Sequence, residues 1–311
     1  MNKVLCIVGP TGVGKTELSI ELAKKFDGEI ISGDSIQVYK ELNVGSAKIT
    51  EEEKSGVPHY LIDELELSDS YNVNNFQQKT RALIKDISNR EKLPLIVGGT
   101  GLYIKAAIYD YEFPVTENCT EESNYNKLTN EEIYQKLKEL DPTSAEKIHI
   151  NNKKRMIRAL QLAEKGIIKS EVVEKQKHEP VYDVYFLGLT MNREHLYERI
   201  NTRVDQMVKN GLLEEIEGLN AKYRNLFDFR GIQGIGYKGW KEYFEGVKSE
   251  AEVIEEIKKH SRQFARRQYT WFNNQMPVHW FDIEEKDYKV KIIEDLEFWL
   301  KTEIKVESVR F

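Results

Sequence analysis

The strongest constraint on this chain lies near its start. The octet Gly9-Pro10-Thr11-Gly12-Val13-Gly14-Lys15-Thr16 follows the apolar run Val4-Leu5-Cys6-Ile7-Val8 and opens an amphipathic stretch at Glu17-Leu18-Ser19-Ile20-Glu21-Leu22. Strand, glycine-rich turn, helix is the order a phosphate-cradling loop requires. Successive backbone N–H groups and a helix N-terminus make a concave anion site. Lys15 adds a point charge for the outer phosphate, and Thr16 supplies a hydroxyl for Mg²⁺. A loose glycine-rich turn would account for neither the spacing nor the flanks. The reading is a di- or triphosphate site, with Gly9, Pro10, Thr11, Gly12, Val13, Gly14, Lys15 and Thr16 forming the cradle.

Beyond this loop, residues 29–32 read as a short apolar strand ending at Gly33-Asp34, and 60–62 as a possible further one. A helix falls within 73–87. A buried strand at 93–97 ends in Gly98-Gly99-Thr100-Gly101. Strands separated by helical segments imply an α/β fold, a parallel sheet with helices on both faces. Ligands bind such sheets at the carboxyl ends of strands, so residues 9–16, Asp34 and Thr100 should converge. From about 113 to 180 the pattern changes to helices and polar links. Starts are expected at Thr129-Asn130-Glu131-Glu132, at Asp141-Pro142 and at Lys153, the last helix stopping at Gly166. A strand at 184–189 then returns to the sheet. The expected organisation is therefore a P-loop core of residues 1–112 and 181–311 carrying a helical insertion at 113–180. The C-terminal part reads as helices at 193–211, 214–222, 240–245 and 250–273, with a last short strand at 280–282.

Net charge is −6, which as a bulk figure disfavours a nucleic-acid partner, but distribution matters more. Two basic segments break the acidic background: Lys153-Lys154-Arg155-Met156-Ile157-Arg158, and 258–267. On a helix, Lys258, Arg262 and Arg266 share a face. Taken alone, an ordinary solvated face is the better account of the second segment. Asp34 lies where a carboxylate can act as base, bind an acceptor, or simply cap a helix. Arg199 and Arg203 stand one helical turn apart, as a diphosphate clamp or as surface charge. Tyr60-Leu61-Ile62-Asp63-Glu64 only superficially resembles the aspartate-bearing strand of an ATPase, so a nucleotide-driven motor is unattractive. No apolar stretch approaches a membrane span. Cys6 and Cys119 lack metal spacing, which suits a reduced, cytoplasmic protein.

Eight segments in order carry a resemblance. They are residues 9–16; Ser32-Gly-Asp-Ser-Ile-Gln-Val-Tyr39; Gly45-Ser-Ala-Lys48; Val57-Pro-His-Tyr-Leu-Ile-Asp63; Gly98-Gly-Thr-Gly-Leu-Tyr103; Lys154-Arg-Met-Ile-Arg-Ala-Leu160; Ile235-Gly-Tyr-Lys238; and Ser261-Arg-Gln-Phe-Ala-Arg-Arg-Gln-Tyr-Thr-Trp271. With them the chain resembles the bacterial tRNA dimethylallyltransferases over nearly its whole length. The resemblance implies dimethylallyl diphosphate as donor and Mg²⁺ on its diphosphate. It further implies N6 of adenosine 37, beside the anticodon, as acceptor. Residues 9–16 with Arg203 would hold the donor, Thr16 the metal. Asp34, Ser35, Ile36, Gln37 and Thr100 would meet the tRNA anticodon stem-loop, as would Lys154, Arg155, Met156, Ile157 and Arg158 of the insertion. Arg262 and Arg266 then become phosphate contacts, and a monomer is expected.

Three positions depart from the family pattern. Ser46-Ala47-Lys48 replaces a usual Thr-Ala-Lys, the stretch 118–126 lacks an arginine found there in many relatives, and Gln233 stands where some have arginine. The expected chemistry makes Asp34 the general base, with Lys15, Thr16 and Thr100 completing the catalytic set. Three other readings are a prenyltransferase acting on free AMP, ADP or ATP, a small-molecule kinase, and an RNA-binding module with a vestigial P-loop. The basic insertion argues against the first, the blocks 235–238 and 261–271 against the second. Intact Lys15, Thr16 and Asp34 argue against the third.

Overall fold

The computed structural model describes residues 1–113, 125, 127–175 and 178–302. The chain begins β1 (Lys3–Val8), α1 (Lys15–Lys25), β2 (Gly28–Ser32), α2 (Glu51–Lys54), β3 (His59–Tyr60), α3 (Val73–Asn89), β4 (Leu93–Gly98) and α4 (Gly101–Ile108). Helices α5 (Asn130–Leu140), α6 (Pro142–Lys147), α7 (Lys153–Ala163) and α8 (Lys169–Lys175) follow. The chain continues with β5 (Asp183–Thr190), α9 (Arg193–Lys209), α10 (Leu212–Lys222), α11 (Ile235–Lys238), α12 (Trp240–Phe244), α13 (Glu250–Gln275), β6 (His279–Asp282) and α14 (Tyr288–Lys301).

The sheet is parallel throughout, in the order β3-β2-β4-β1-β5-β6. Strand β1 is central: Leu5 pairs with Leu95 on one side and Tyr185 on the other. Val4 to Val8 are fully buried, as expected of a strand with neighbours on both edges and cover on both faces. Leu5, Ile7, Leu95 and Leu187 pack with Leu18 and Leu22 of α1 and Ile292 and Leu296 of α14 in one cluster. Helix α3 packs on β2 and β4. Strand β3 is shorter than its apolar residues suggest, because Leu61 and Asp63 both take positive φ and turn the chain out of the sheet. Helix α14 was not anticipated, although its buried Ile292 and Leu296 fall at helical spacing.

The chain divides into two compact units, Met1–Ile108 with Val181–Phe311, and Tyr109–Pro180. The second has its own core, in which Ile133 and Leu137 of α5 meet Met156, Ile157 and Leu160 of α7. Its helices start where the sequence places strong caps. Thr129 and Glu132 form a reciprocal box at α5, and Asp141 caps α6 with Pro142 in its first turn. None of the described helices is long and apolar enough to cross a membrane.

Candidate active site

The P-loop forms as the strand–turn–helix order requires. Gly9, Gly12 and Gly14 all take positive φ, and a Cβ on Gly9 would stand 2.8 Å from the Leu189 carbonyl oxygen. Gly14 is the N-cap of α1 and supplies no side chain to cap it, so the first helical N–H groups stay available to an anion. Lys15 folds over the loop, its Nζ donating to the carbonyls of Gly9 (3.0 Å) and Pro10 (2.8 Å). Withdrawal from water and the nearby Arg203 cation pull its pKa down to about 7, while Asp34 pulls the other way. Burial likewise lowers Arg203, against Asp34 and Glu53. Lys15, Arg203 and Asp34, from separate elements, therefore lie within electrostatic reach of one another, a charge arrangement suited to a polyanion.

Asp34 and Arg203, but not Lys15, line a cavity of about 390 Å³ whose walls also include Thr11 and Thr100. Asp34 leaves the end of β2 in a tight turn. Its Oδ1 accepts from the N–H groups of Ile36 (2.8 Å) and Gln37 (3.3 Å), and Oδ2 makes no hydrogen bond among the described residues. The capping role and the expected catalytic one are therefore compatible, since the bonds to one oxygen orient the carboxylate and leave the other unengaged among the described residues. Arg203 Nη1 donates to Thr11 Oγ1 at 2.8 Å. Arg199 lies close to Gly14, its guanidinium 3.7 Å from where a Cβ there would be.

One residue that sequence reasoning did not assign joins these parts. Gln268 of α13 is only 5% exposed. Its Oε1 accepts from Thr11 N–H (2.9 Å) and its Nε2 donates to the Gly99 carbonyl (3.0 Å). A Cβ on Gly99 would collide with that amide at 2.0 Å, so glycine there is a condition of the bridge. P-loop, Gly98–Gly101 turn and α13 are thereby fixed to one another.

The family follows from comparison with known proteins. The model of the IPP transferase family matches residues 37–275. The chain belongs to that family. It is 50% identical over 286 residues to a tRNA dimethylallyltransferase of Anoxybacillus flavithermus, covering 91% of each chain. It is 47% identical to the one of Bacillus mycoides, covering 95% of each. Among solved structures, a tRNA isopentenylpyrophosphate transferase from Staphylococcus epidermidis is 40% identical, with a TM-score of 0.72 over 96% of this chain and 99% of that one. A eukaryotic dimethylallyltransferase acting on tRNA is 29% identical, with a TM-score of 0.85 over 99% of this chain and 82% of that one.

Within this IPP transferase, the other expected site residues fall in different places. Ser35 and Ile36 line the Asp34 cavity. Thr16 is exposed and lines a neighbouring space of about 330 Å³ with Ser32, Gln37 and Arg203. Gln37 Nε2 reaches the carbonyls of Ser46 and Ala47. Lys48 is a latch for its own loop, bonded to the Tyr39 carbonyl, Asn43 Oδ1 and the Asp63 carboxylate. This pairing also accounts for Asp63. Gln233 lines the cavity. On α13, Arg267 lines the cavity together with Phe264 and Ser261, whereas Arg262 is bonded to Asn201 and Arg266 is exposed. Arg267, which the i, i+4 count from Lys258 passes over, is exposed as Arg266 is, yet it is the one that lines the cavity.

One correction concerns the insertion. Met156 and Ile157 are 0% and 6% exposed, inside the core of that unit. Their side chains hold α7 in place, while Lys154, Arg155 and Arg158 are exposed. Cys119 and almost all of the stretch 118–126 lie outside the described residues.

Proposed function

We propose that the chain transfers the dimethylallyl group of dimethylallyl diphosphate to N6 of adenosine 37 in tRNA, releasing diphosphate. The observation that carries this reading is the convergence of Asp34, Thr100, Thr11 and Arg203 on one cavity beside the P-loop. The names of the relatives supply the substrate class. Acting as a monomer in the cytoplasm is part of the same proposal.

In this mechanism the P-loop N–H groups, Lys15 and Arg203 hold the diphosphate and stabilise the charge that grows as it leaves. Asp34 Oδ2 accepts a proton from N6 as the C–N bond forms at C1 of the dimethylallyl group. A carboxylate suffices, because the alkylated nitrogen is strongly acidic. Thr100 stands at the start of α4, across the cavity, where its hydroxyl can orient the base. The target adenine has to leave its stack to arrive there.

Among the described residues no group of three His, Cys, Asp or Glu could hold a metal. The exposed Thr16 hydroxyl at the phosphate cradle fits Mg²⁺, which takes most of its ligands from phosphate oxygens and water. When bound, such an ion neutralises charge on the diphosphate. Lys154, Arg155 and Arg158 supply phosphate contacts from the insertion, and Arg262 and Arg266 from α13.

The test is transfer of labelled dimethylallyl diphosphate, with Mg²⁺, to total tRNA lacking the modification, with AMP in parallel. Label in tRNA alone is the expected result. Label in AMP alone would move the enzyme to the free-nucleotide class, and no label in either would return the P-loop to a nucleoside triphosphate.

A further inference from the structure

Three successive backbone N–H groups in the loop after β2 converge on one carboxylate. Those of Asn43 (3.0 Å) and Val44 (2.8 Å) donate to Glu215 Oε2, and that of Gly45 donates to Oε1 at 3.1 Å. The buried Tyr237 hydroxyl also donates to Oε1, at 2.7 Å. Glu215 belongs to α10 and Tyr237 to α11, so one side chain ties the loop to both helices. Consecutive N–H groups form a concave anion site, and hydrogen bonds to an ionised acceptor are about twice as strong as neutral ones. Glu215 has no part in the mechanism above.

What it holds is the wall of the site. Gly45, Ser46, Gly236 and Tyr237 line the cavity that holds Asp34, whereas Glu215 does not. The loop and α11 meet closely: a Cβ on Gly45 would stand 2.6 Å from the Tyr237 ring, and one on Gly236 would stand 2.2 Å from the Gly45 carbonyl oxygen. Beyond Gly45 the bonds run on toward Asp34. Gln37 Nε2 donates to the carbonyls of Ser46 and Ala47, both at 3.3 Å. The backbone N–H of the same Gln37 donates to Asp34 Oδ1, also at 3.3 Å. These bonds are at the long end of the ordinary range, so a small shift of the loop is enough to break them.

We propose that Glu215 is a positioning residue for the transfer: it fixes residues 43–47, which hold Gln37, which in turn sets the angle at which Asp34 faces the acceptor. The inference rests on the proposed role of Asp34 as base. An apolar side chain in place of Glu215 would leave three N–H groups and a phenol unanswered. A glutamine offers one acceptor oxygen and turns its own N–H groups toward donors. Either releases the loop at Gly45, while the bonds that brace the phosphate cradle, from Lys15, Arg203 and Gln268, do not pass through it.

The experiment measures single-turnover transfer from dimethylallyl diphosphate to an anticodon stem-loop RNA, over a range of donor concentrations. The enzymes are the full chain, Glu215→Gln, Asp34→Ala and the double variant. Glu215→Gln should lower the saturated rate about 10- to 100-fold, as misplacement of a reacting group does, and KM for the donor should not move. In the Asp34→Ala background the same substitution should cost little more, because no base is left to position. Tyr237→Phe keeps the ring against Gly45 and removes one of the bonds to Glu215. It should show the same non-additivity with a smaller loss, and it decides the question should Glu215→Gln fail to fold. Losses that simply multiply, as a general loosening of the fold would produce, overturn the inference. So does an unchanged rate, or a loss that appears only in KM for the donor. Near-normal transfer by Asp34→Ala overturns the reading of Asp34 as base, and the inference with it.

Discussion

At pH 8, binding of dimethylallyl diphosphate alone is expected to draw about 0.4 to 0.9 proton from solution, and Lys15 is the group that takes it. With the Lys15 pKa at about 7 in the free protein, only about a tenth of the molecules carry the ammonium at pH 8. A diphosphate on the loop sets opposite charge beside it. Such a neighbour raises a cation's pKa by about 1 to 3 units, so the bound form is from half to almost fully protonated. The diphosphate cannot account for the uptake, being two units above the last ionisation of a phosphate at about 6. The sign fixes the pH dependence. Lys15 contributes no slope well below pH 7, because it is charged in both states. Affinity weakens by up to about tenfold per unit as pH rises from there to the bound-state value. Titration calorimetry in Hepes, Tricine and Tris, which differ in ionisation enthalpy, reads the proton count as a slope. The Lys15→Met variant should bring that slope close to zero. A slope near zero for the unaltered protein, or one that survives in Lys15→Met, would refute the account of Lys15.

Asp34→Ala should lower single-turnover transfer by about 10²- to 10⁴-fold while tRNA affinity in a filter-binding assay changes little. Near-normal rates would remove Asp34 as base. Gln268→Leu strands the Thr11 N–H and the Gly99 carbonyl, so urea unfolding should show a loss of about 1–3 kcal/mol together with a higher KM for the donor. Arg90→Met leaves the buried Glu29 carboxylate facing only Tyr60 and Lys92, at a cost of about 1–3 kcal/mol given the exposure of Arg90. The Arg90 guanidinium, bonded to Glu29, holds its pKa below the usual carboxylate range. That stability is present above the ordinary range and is lost as pH falls through the lowered value. The gap between variant and parent should therefore narrow in acid, and a gap that stays constant with pH would count against the pair.

Sequence resolves this molecule where one local rule dominates. The order β1, glycine turn, α1 admits a single arrangement, and Thr129 with Glu132 announces α5 without any help from tertiary structure. The residues that reason well locally but settle elsewhere do so because a distant partner decides. Lys258, Arg262 and Arg266 share a face by count, yet Lys258 is held by Asp205 and Glu255, and it is Arg267 that lines the cavity. Met156 and Ile157 sit in a basic string, but the apolar period of α7 claims them for the core. Gln268 was legible only as one letter of a motif. Its role depends on a backbone N–H 257 positions away, which no local pattern encodes.

That separation orders events on the ribosome. The phosphate cradle at residues 9–16 is among the first segments translated, but its strand gains its second neighbour when residues 183–190 arrive, and among the described residues its Thr11 amide is satisfied by residue 268. A nascent or prematurely terminated chain carries the cradle without its brace. On the proposed reading, a chain that ends before α13 is expected to grip the donor poorly, because the Thr11 N–H then lacks the Gln268 acceptor.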